Sequence, residues 1–203
     1  MSKIKNIVFD YGAVLVDWDP HHLYDPYFGS REKADWFLTN VCTNEWNFQM
    51  DSGKPFVEAI DELISEHPEW EKEIRMYFDR WIGMMGDEIP GMQALVRRLK
   101  AAGYGVYGLT NWSAETFCQV RNKYVIFGLM DGMVVSGEER IVKPDAAIYR
   151  LLMERYGLRA EESLFVDDRQ PNIDGAKAVG MGGVLFRNAQ QLEAELKAHG
   201  LNF

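Results

Sequence analysis

A chain of 203 residues, 47% apolar and 26% charged, has room for one globular domain and an insertion. Its formal net charge of −9 argues against nucleic-acid or anionic-membrane partners, though a local cation can still hold one small phosphorylated ligand. Cys42 and Cys118 form no CxxC pair, and neither a secretory leader nor a bilayer-spanning apolar run is visible, so the expectation is a reducing cytoplasm without disulfides or cysteine zinc sites.

The short apolar run that begins at Ile4 and ends at Asp10, with Gly12 two residues later, predicts a buried strand of a parallel sheet. Asp17-Trp18-Asp19-Pro20 reads as a turn, and from His21 to about Met85 the signals are helical. Phe56, Ile60, Leu63 and Ile64 share one helical face, and Trp70, Ile74, Tyr77, Phe78 and Trp81 another. This aromatic block predicts an all-helical cap over residues 17–86, inserted into a body formed by 1–16 and 87–203.

Within that body, Met92, Leu95, Val96 and Leu99 predict a core-facing helix that stops at Gly103. Tyr104 to Leu109 is the second expected strand, followed by Thr110-Asn111 and a helix capped by Ser113. A third strand lies within Gly132 to Ser136, and Lys143-Pro144-Asp145 opens a helix with proline in its first turn. Leu164-Phe165-Val166 makes a fourth strand ending in Asp167-Asp168, Gly183 to Phe186 a fifth, and a polar helix with Leu192 and Leu196 closes the chain. The fold class that follows is α/β: a doubly wound, Rossmann-like parallel sheet of five strands.

Ligands of such sheets bind beyond the carboxyl ends of the strands. Asp10, Thr110 and Asn111, Lys143, and Asp167 and Asp168 therefore converge at one edge. Three carboxylates crowded at an apolar rim repel one another, and a divalent cation removes that repulsion. All-oxygen donors suit magnesium, while Lys143 and the Thr110-Asn111 pair offer contacts for a phosphoryl group.

The blocks Phe9-Asp10-Tyr11-Gly12-Ala13-Val14-Leu15, Leu109-Thr110-Asn111, Lys143-Pro144 and Phe165-Val166-Asp167-Asp168, with Asn172 and Gly175, resemble the haloacid dehalogenase-like hydrolase superfamily. With Gly12 the sequence looks most like the branch that contains bacterial α-D-glucose-1-phosphate phosphatase, and is similar to the phosphatase-like domains of epoxide-hydrolase-type proteins. The resemblance implies a magnesium-dependent phosphatase of a small phosphorylated metabolite. Asp10 would be the nucleophile and form an aspartyl-phosphate. Asp10, the Gly12 carbonyl and Asp168 would hold the metal, with Asp167 behind them through water or exchanging roles with Asp168. Thr110, Asn111 and Lys143 would hold the phosphoryl oxygens.

Gly12 departs from the superfamily's usual phosphatase pattern, which has an aspartate there as general acid. Asp17, His21, His22 or a cap residue are the candidates to replace it, and Trp46, Phe48, Gln49 and Trp112 are candidates to line the substrate pocket. Two other functions compete. A metal-free haloacid-type dehalogenase would use the same aspartate on carbon, and a regulatory phospho-acceptor would keep its aspartyl-phosphate without turnover.

Overall fold

The computed structural model describes residues 4–203. The chain enters through β1 (Asn6–Phe9), turns, and forms the short strand β2 (Val16–Trp18). Five helices follow: α1 (His21–Phe28), α2 (Arg31–Asn40), α3 (Asn44–Asp51), α4 (Phe56–Glu66) and α5 (Glu71–Asp79). Strand β3 (Met85–Glu88) then pairs antiparallel with β2, Val16 opposite Glu88, so one ribbon joins the entry and exit of the helical block.

That ribbon takes Asp17 and Trp18 out of the turn expected at Asp17–Pro20, which Asp19 and Pro20 alone make, and the boundaries drawn at 17 and 86 fall inside its two strands. Strands of three and four residues that carry Asp17, Gly86, Asp87 and Glu88 show no apolar alternation, so pattern alone misses them. The helices between are packed by their aromatic residues. Tyr24, Phe37, Trp46, Phe56 and Tyr77 are buried, with Trp46 edge-on to Tyr77 at 5.0 Å. The face expected from Trp70 to Trp81 is divided, because 3₁₀ turns at Pro68–Trp70 and Trp81–Met84 flank α5. Helix α3 starts where it does because the Thr43 hydroxyl accepts the Trp46 N–H at 3.1 Å.

The rest of the chain alternates: α6 (Met92–Ala101), β4 (Gly105–Thr110), α7 (Ala114–Val120), β5 (Gly132–Val135), α8 (Ser136–Glu139), α9 (Ala146–Tyr156), β6 (Ser163–Asp167), α10 (Gln170–Ala178), β7 (Gly182–Leu185) and α11 (Ala189–Ala198). The sheet order is β5-β4-β1-β6-β7, parallel throughout, which is the expected five-stranded sheet. Ser113 caps α7 as expected, its hydroxyl accepting the Glu115 N–H at 3.2 Å. Pro144 is not in the first turn of α9. Asp145 is the cap, accepting the Ala147 N–H at 2.8 Å, and the proline precedes it.

Both faces of the sheet are covered. Ile7, Phe9, Leu164 and Val166 join the core shared with α6, α11 and the inserted helices. Val8, Leu109, Val134 and Phe165 pack with Ile148 and Leu152 of α9 and Ile173 of α10. Phe9 is in register with Gly108 on one side and Val166 on the other. Asp10 therefore leaves the middle of the sheet level with the ends of both neighbouring strands.

Candidate active site

Asp10 is held at the sheet edge by its N–H donating to the Val166 carbonyl at 2.9 Å. The turn after it is tight. The Tyr11 carbonyl accepts from Leu15 at 2.8 Å and Val16 at 3.0 Å, and Ala13 takes a left-handed φ of +58°. A side chain in that region costs roughly 1–2 kcal/mol, so the hydrogen bonds around it hold a strained turn. The Tyr11 ring is buried against Phe127, 4.4 Å between centroids. Gly108 makes room for it, since a Cβ there would lie 2.3 Å from the Tyr11 hydroxyl.

Lys143 is fully buried, and its ammonium lies 2.8 Å from Asp10 Oδ1 and 2.7 Å from Asp167 Oδ2. Burial alone would lower its pKa, but the two carboxylates outweigh that and hold it above the ordinary lysine range. Asp167 has little left to offer a metal. Besides Lys143, its oxygens accept the Arg169 N–H at 2.8 Å and the Asn172 amide at 3.0 Å. The Asn111 side chain is likewise committed, to the main chain of Lys143. Thr110 ends β4, buried at the same edge.

Asp10, Asp167 and Asp168 bring carboxylate oxygens within 4.8 Å of one another. Asp168 is exposed and lines the cleft with Asp10 and Gly12. Burial pushes Asp10 up to about 7, with Asp167 and Asp168 adding to the rise against the opposing pull of Lys143. Asp168 is raised as well, first by partial desolvation against the wall of the cleft and then by Asp167. Asp10 and Asp168 thus resist losing their protons, which a hard dication relieves, and a donor set of oxygens alone suits magnesium rather than zinc or copper.

The opposite wall of the cleft comes from α3. Asn44, Asn47, Phe48 and Asp51 follow i, i+3, i+4, i+7 spacing and all face the site, which encloses about 1110 Å³ open to solvent. Deeper in, Gly12, Trp18, Asn47, Asp51, Trp81, Asn111, Trp112 and Thr116 line a smaller pocket of about 360 Å³. Of the expected pocket residues, Phe48 and Trp112 line these spaces. Trp46 instead turns inward, its indole N–H donating to the Ala59 carbonyl, and Gln49 is exposed beside Lys54. Of the expected substitutes for the acid at Gly12, the three named residues are engaged elsewhere, His22 with Asp17 at 2.8 Å and His21 with Asp25 at 2.8 Å, which leaves a residue of the helical insert. Asn44, Asn47 and Asp51 escaped sequence reasoning, although their spacing on one helix face was the available signal.

The model of the haloacid dehalogenase-like hydrolases matches residues 4–180. The chain belongs to this family. This hydrolase is 32% identical over 199 residues to the sesquiterpene phosphatase astK of Aspergillus oryzae, covering 97% of its own length and 96% of that protein's. It is 23% identical over 209 residues to a phosphoglycolate phosphatase of Salmonella choleraesuis, covering 91% and 81%. Among solved structures, the haloacid dehalogenase family enzyme bt-2542 of Bacteroides thetaiotaomicron, in its magnesium complex, superposes with a TM-score of 0.74 at 19% identity, covering 97% of the hydrolase and 100% of that chain. Among the described residues, no helix of the hydrolase is long and apolar enough to cross a membrane.

Proposed function

We propose that this hydrolase is a magnesium-dependent phosphatase of small phosphorylated metabolites, sugar phosphates among them, working in a reducing cytoplasm where Cys42 and Cys118 stay free. The observation that carries the reading is the buried Lys143 bridging Asp10 and Asp167 beside the open carboxylate of Asp168. A strand-end nucleophile, a fixed cation for a phosphoryl oxygen and an oxygen donor set for a dication meet at one edge. The family relatives named as phosphatases support the same choice.

Asp10 attacks phosphorus and forms an aspartyl-phosphate, which water then hydrolyses, so one hard displacement becomes two easier ones. Asp10, Asp168 and the Gly12 carbonyl would hold the magnesium, which when bound would offset the repulsion between the anionic nucleophile and the anionic ester. Lys143 and Thr110 hold the phosphoryl oxygens. Asn111 serves by fixing Lys143, and Asp167 by orienting its ammonium rather than by ligating metal directly. Residues 1–16 and 87–203 form the catalytic body, and 17–86 form a cap whose α3 face excludes bulk water and limits substrate size.

Phosphate release should be measured from a panel of esters with and without magnesium: hexose-1- and hexose-6-phosphates, phosphoglycolate, a prenyl phosphate and p-nitrophenyl phosphate. We expect release that needs magnesium and stops in Asp10→Asn. Halide release from a haloacid without metal would place the chain with the dehalogenases instead. A single equivalent of phosphate bound without turnover would make it a phospho-acceptor.

A further inference from the structure

Three acids line the cleft: Asp10, Asp168 and Asp51. The phosphatase reading uses the first two and leaves Asp51 without a role. Asp51 ends α3 and lines both the outer cleft and the inner pocket, in each case together with Gly12. No hydrogen bond joins it to Asp10, Gly12 or Asp168. Its Oδ2 accepts from Asn47 Nδ2 at 3.3 Å, and Asn47 Oδ1 in turn accepts from the Tyr77 hydroxyl at 3.1 Å, so the amide is oriented toward the acid. The main chain of Asp51 is tied to the catalytic body. Its carbonyl accepts the Ser136 hydroxyl at 2.6 Å, and that hydroxyl accepts the Trp112 N–H at 2.9 Å, directly after Asn111.

Beside Gly12 there is open space, for a Cβ added there would meet nothing within 4 Å. A leaving group that occupies this space lies between the reacting centre and α3. We propose that Asp51 is the acid that protonates the leaving-group oxygen, acting from the cap in the place of the side chain that Gly12 lacks. This inference rests on the phosphatase reading.

In the first step a bond forms from an Asp10 oxygen to phosphorus, and the bond from phosphorus to the ester oxygen breaks. The proton of the Asp51 carboxyl moves to that oxygen, which departs as the alcohol. In the second step water attacks phosphorus and gives a proton to the Asp51 carboxylate while the bond from phosphorus to the Asp10 oxygen breaks, which releases phosphate and restores the Asp10 carboxylate and the Asp51 carboxyl. Burial pushes Asp51 up to about 7, with the charge of Asp10 adding to the rise while the Ser113 amide and Lys143 oppose it. The carboxyl thus keeps a proton to give near neutrality.

The test compares p-nitrophenyl phosphate, whose leaving group needs no acid, with an alkyl ester such as a hexose-6-phosphate, in magnesium. Asp51→Asn is expected to lose about 10²–10⁴-fold in kcat on the alkyl ester and under about tenfold on the aryl ester. Adding Gly12→Asp to Asp51→Asn should restore at least about tenfold on the alkyl ester, because the acid is returned from the other side. Equal losses on both esters in a variant that melts like the wild type, or no rescue, would overturn the role of Asp51. Gly12→Asp alone covers the case in which Asp51→Asn does not fold. It should gain less than about tenfold on the alkyl ester, and a gain of about a hundredfold or more would show that no acid was present. A wild-type chain that cleaves neither ester would remove the phosphatase reading itself, whatever the variants do.

Discussion

Asn111 grips the main chain of Lys143 from both sides: its Nδ2 donates to the Lys143 carbonyl at 3.0 Å, and its Oδ1 accepts the Lys143 N–H at 2.8 Å. The residues are 32 positions apart, so this clasp fixes a loop that local structure does not define. Asn111→Ala leaves both groups unpaired, at a cost of roughly 1–3 kcal/mol. Displacing the ammonium by a fraction of an ångström should lower kcat/KM for phosphate esters by about tenfold or more. Steady-state kinetics beside a denaturant melt will show it. A stability loss with unchanged kcat/KM would mean that Lys143 does not depend on the clasp.

Gly175 reaches the same loop from the other side. A Cβ there would lie 2.7 Å from the Pro144 carbonyl oxygen and 3.0 Å from Pro144 Cβ. Gly175→Ala should therefore push α10 and the Lys143-Pro144 segment apart, destabilising by about 1–3 kcal/mol and reducing activity although position 175 does not line the cleft. Gly128 is the control, since a Cβ there meets nothing within 4 Å, and Gly128→Ala should leave activity near wild type. Urea midpoints and turnover measured on both variants decide the matter. Equal behaviour of the pair would discount the contact.

Asp10 gives a pH signature. Its pKa is raised from 3.8 to about 7 in the folded chain, so the folded state holds a proton that the unfolded state has released. That contribution to stability is fully present below 3.8 and is lost as pH rises through about 7. Asp10→Asn never ionises, so without divalent ions it should melt above the wild type at about pH 8, by a margin that shrinks toward about pH 5. Magnesium should raise the wild-type melting temperature more at about pH 8 than at about pH 6, because proton and metal compete for the same oxygens. A margin that stays constant with pH would show that Asp10 ionises as an ordinary carboxylate.

Much of the molecule is written locally. Apolar runs that end at Asp10, Thr110 and Asp167 define strands, and the helices between them force parallel neighbours, so the sheet and its reacting edge follow from periodicity and chain order. The ribbon of β2 and β3 is not written there, because its few polar residues gain strand character only when Trp18 pairs with Met85, 67 positions further along the chain.

The division of labour between like residues also belonged to the tertiary structure. Asp167 and Asp168 are neighbours in sequence, yet Lys143, Asn172 and the Arg169 amide occupy the oxygens of one while the other faces the cleft. Asn111 has the composition of a ligand contact and spends its amide on Lys143. Asp51 sits in a helix that pattern marks only as part of a cap, and packing alone sets it opposite Gly12. Spacing along a chain fixes which residues can share a face or an edge. Which of them keeps a free oxygen depends on partners brought from distant segments, and that is settled only when the whole core closes.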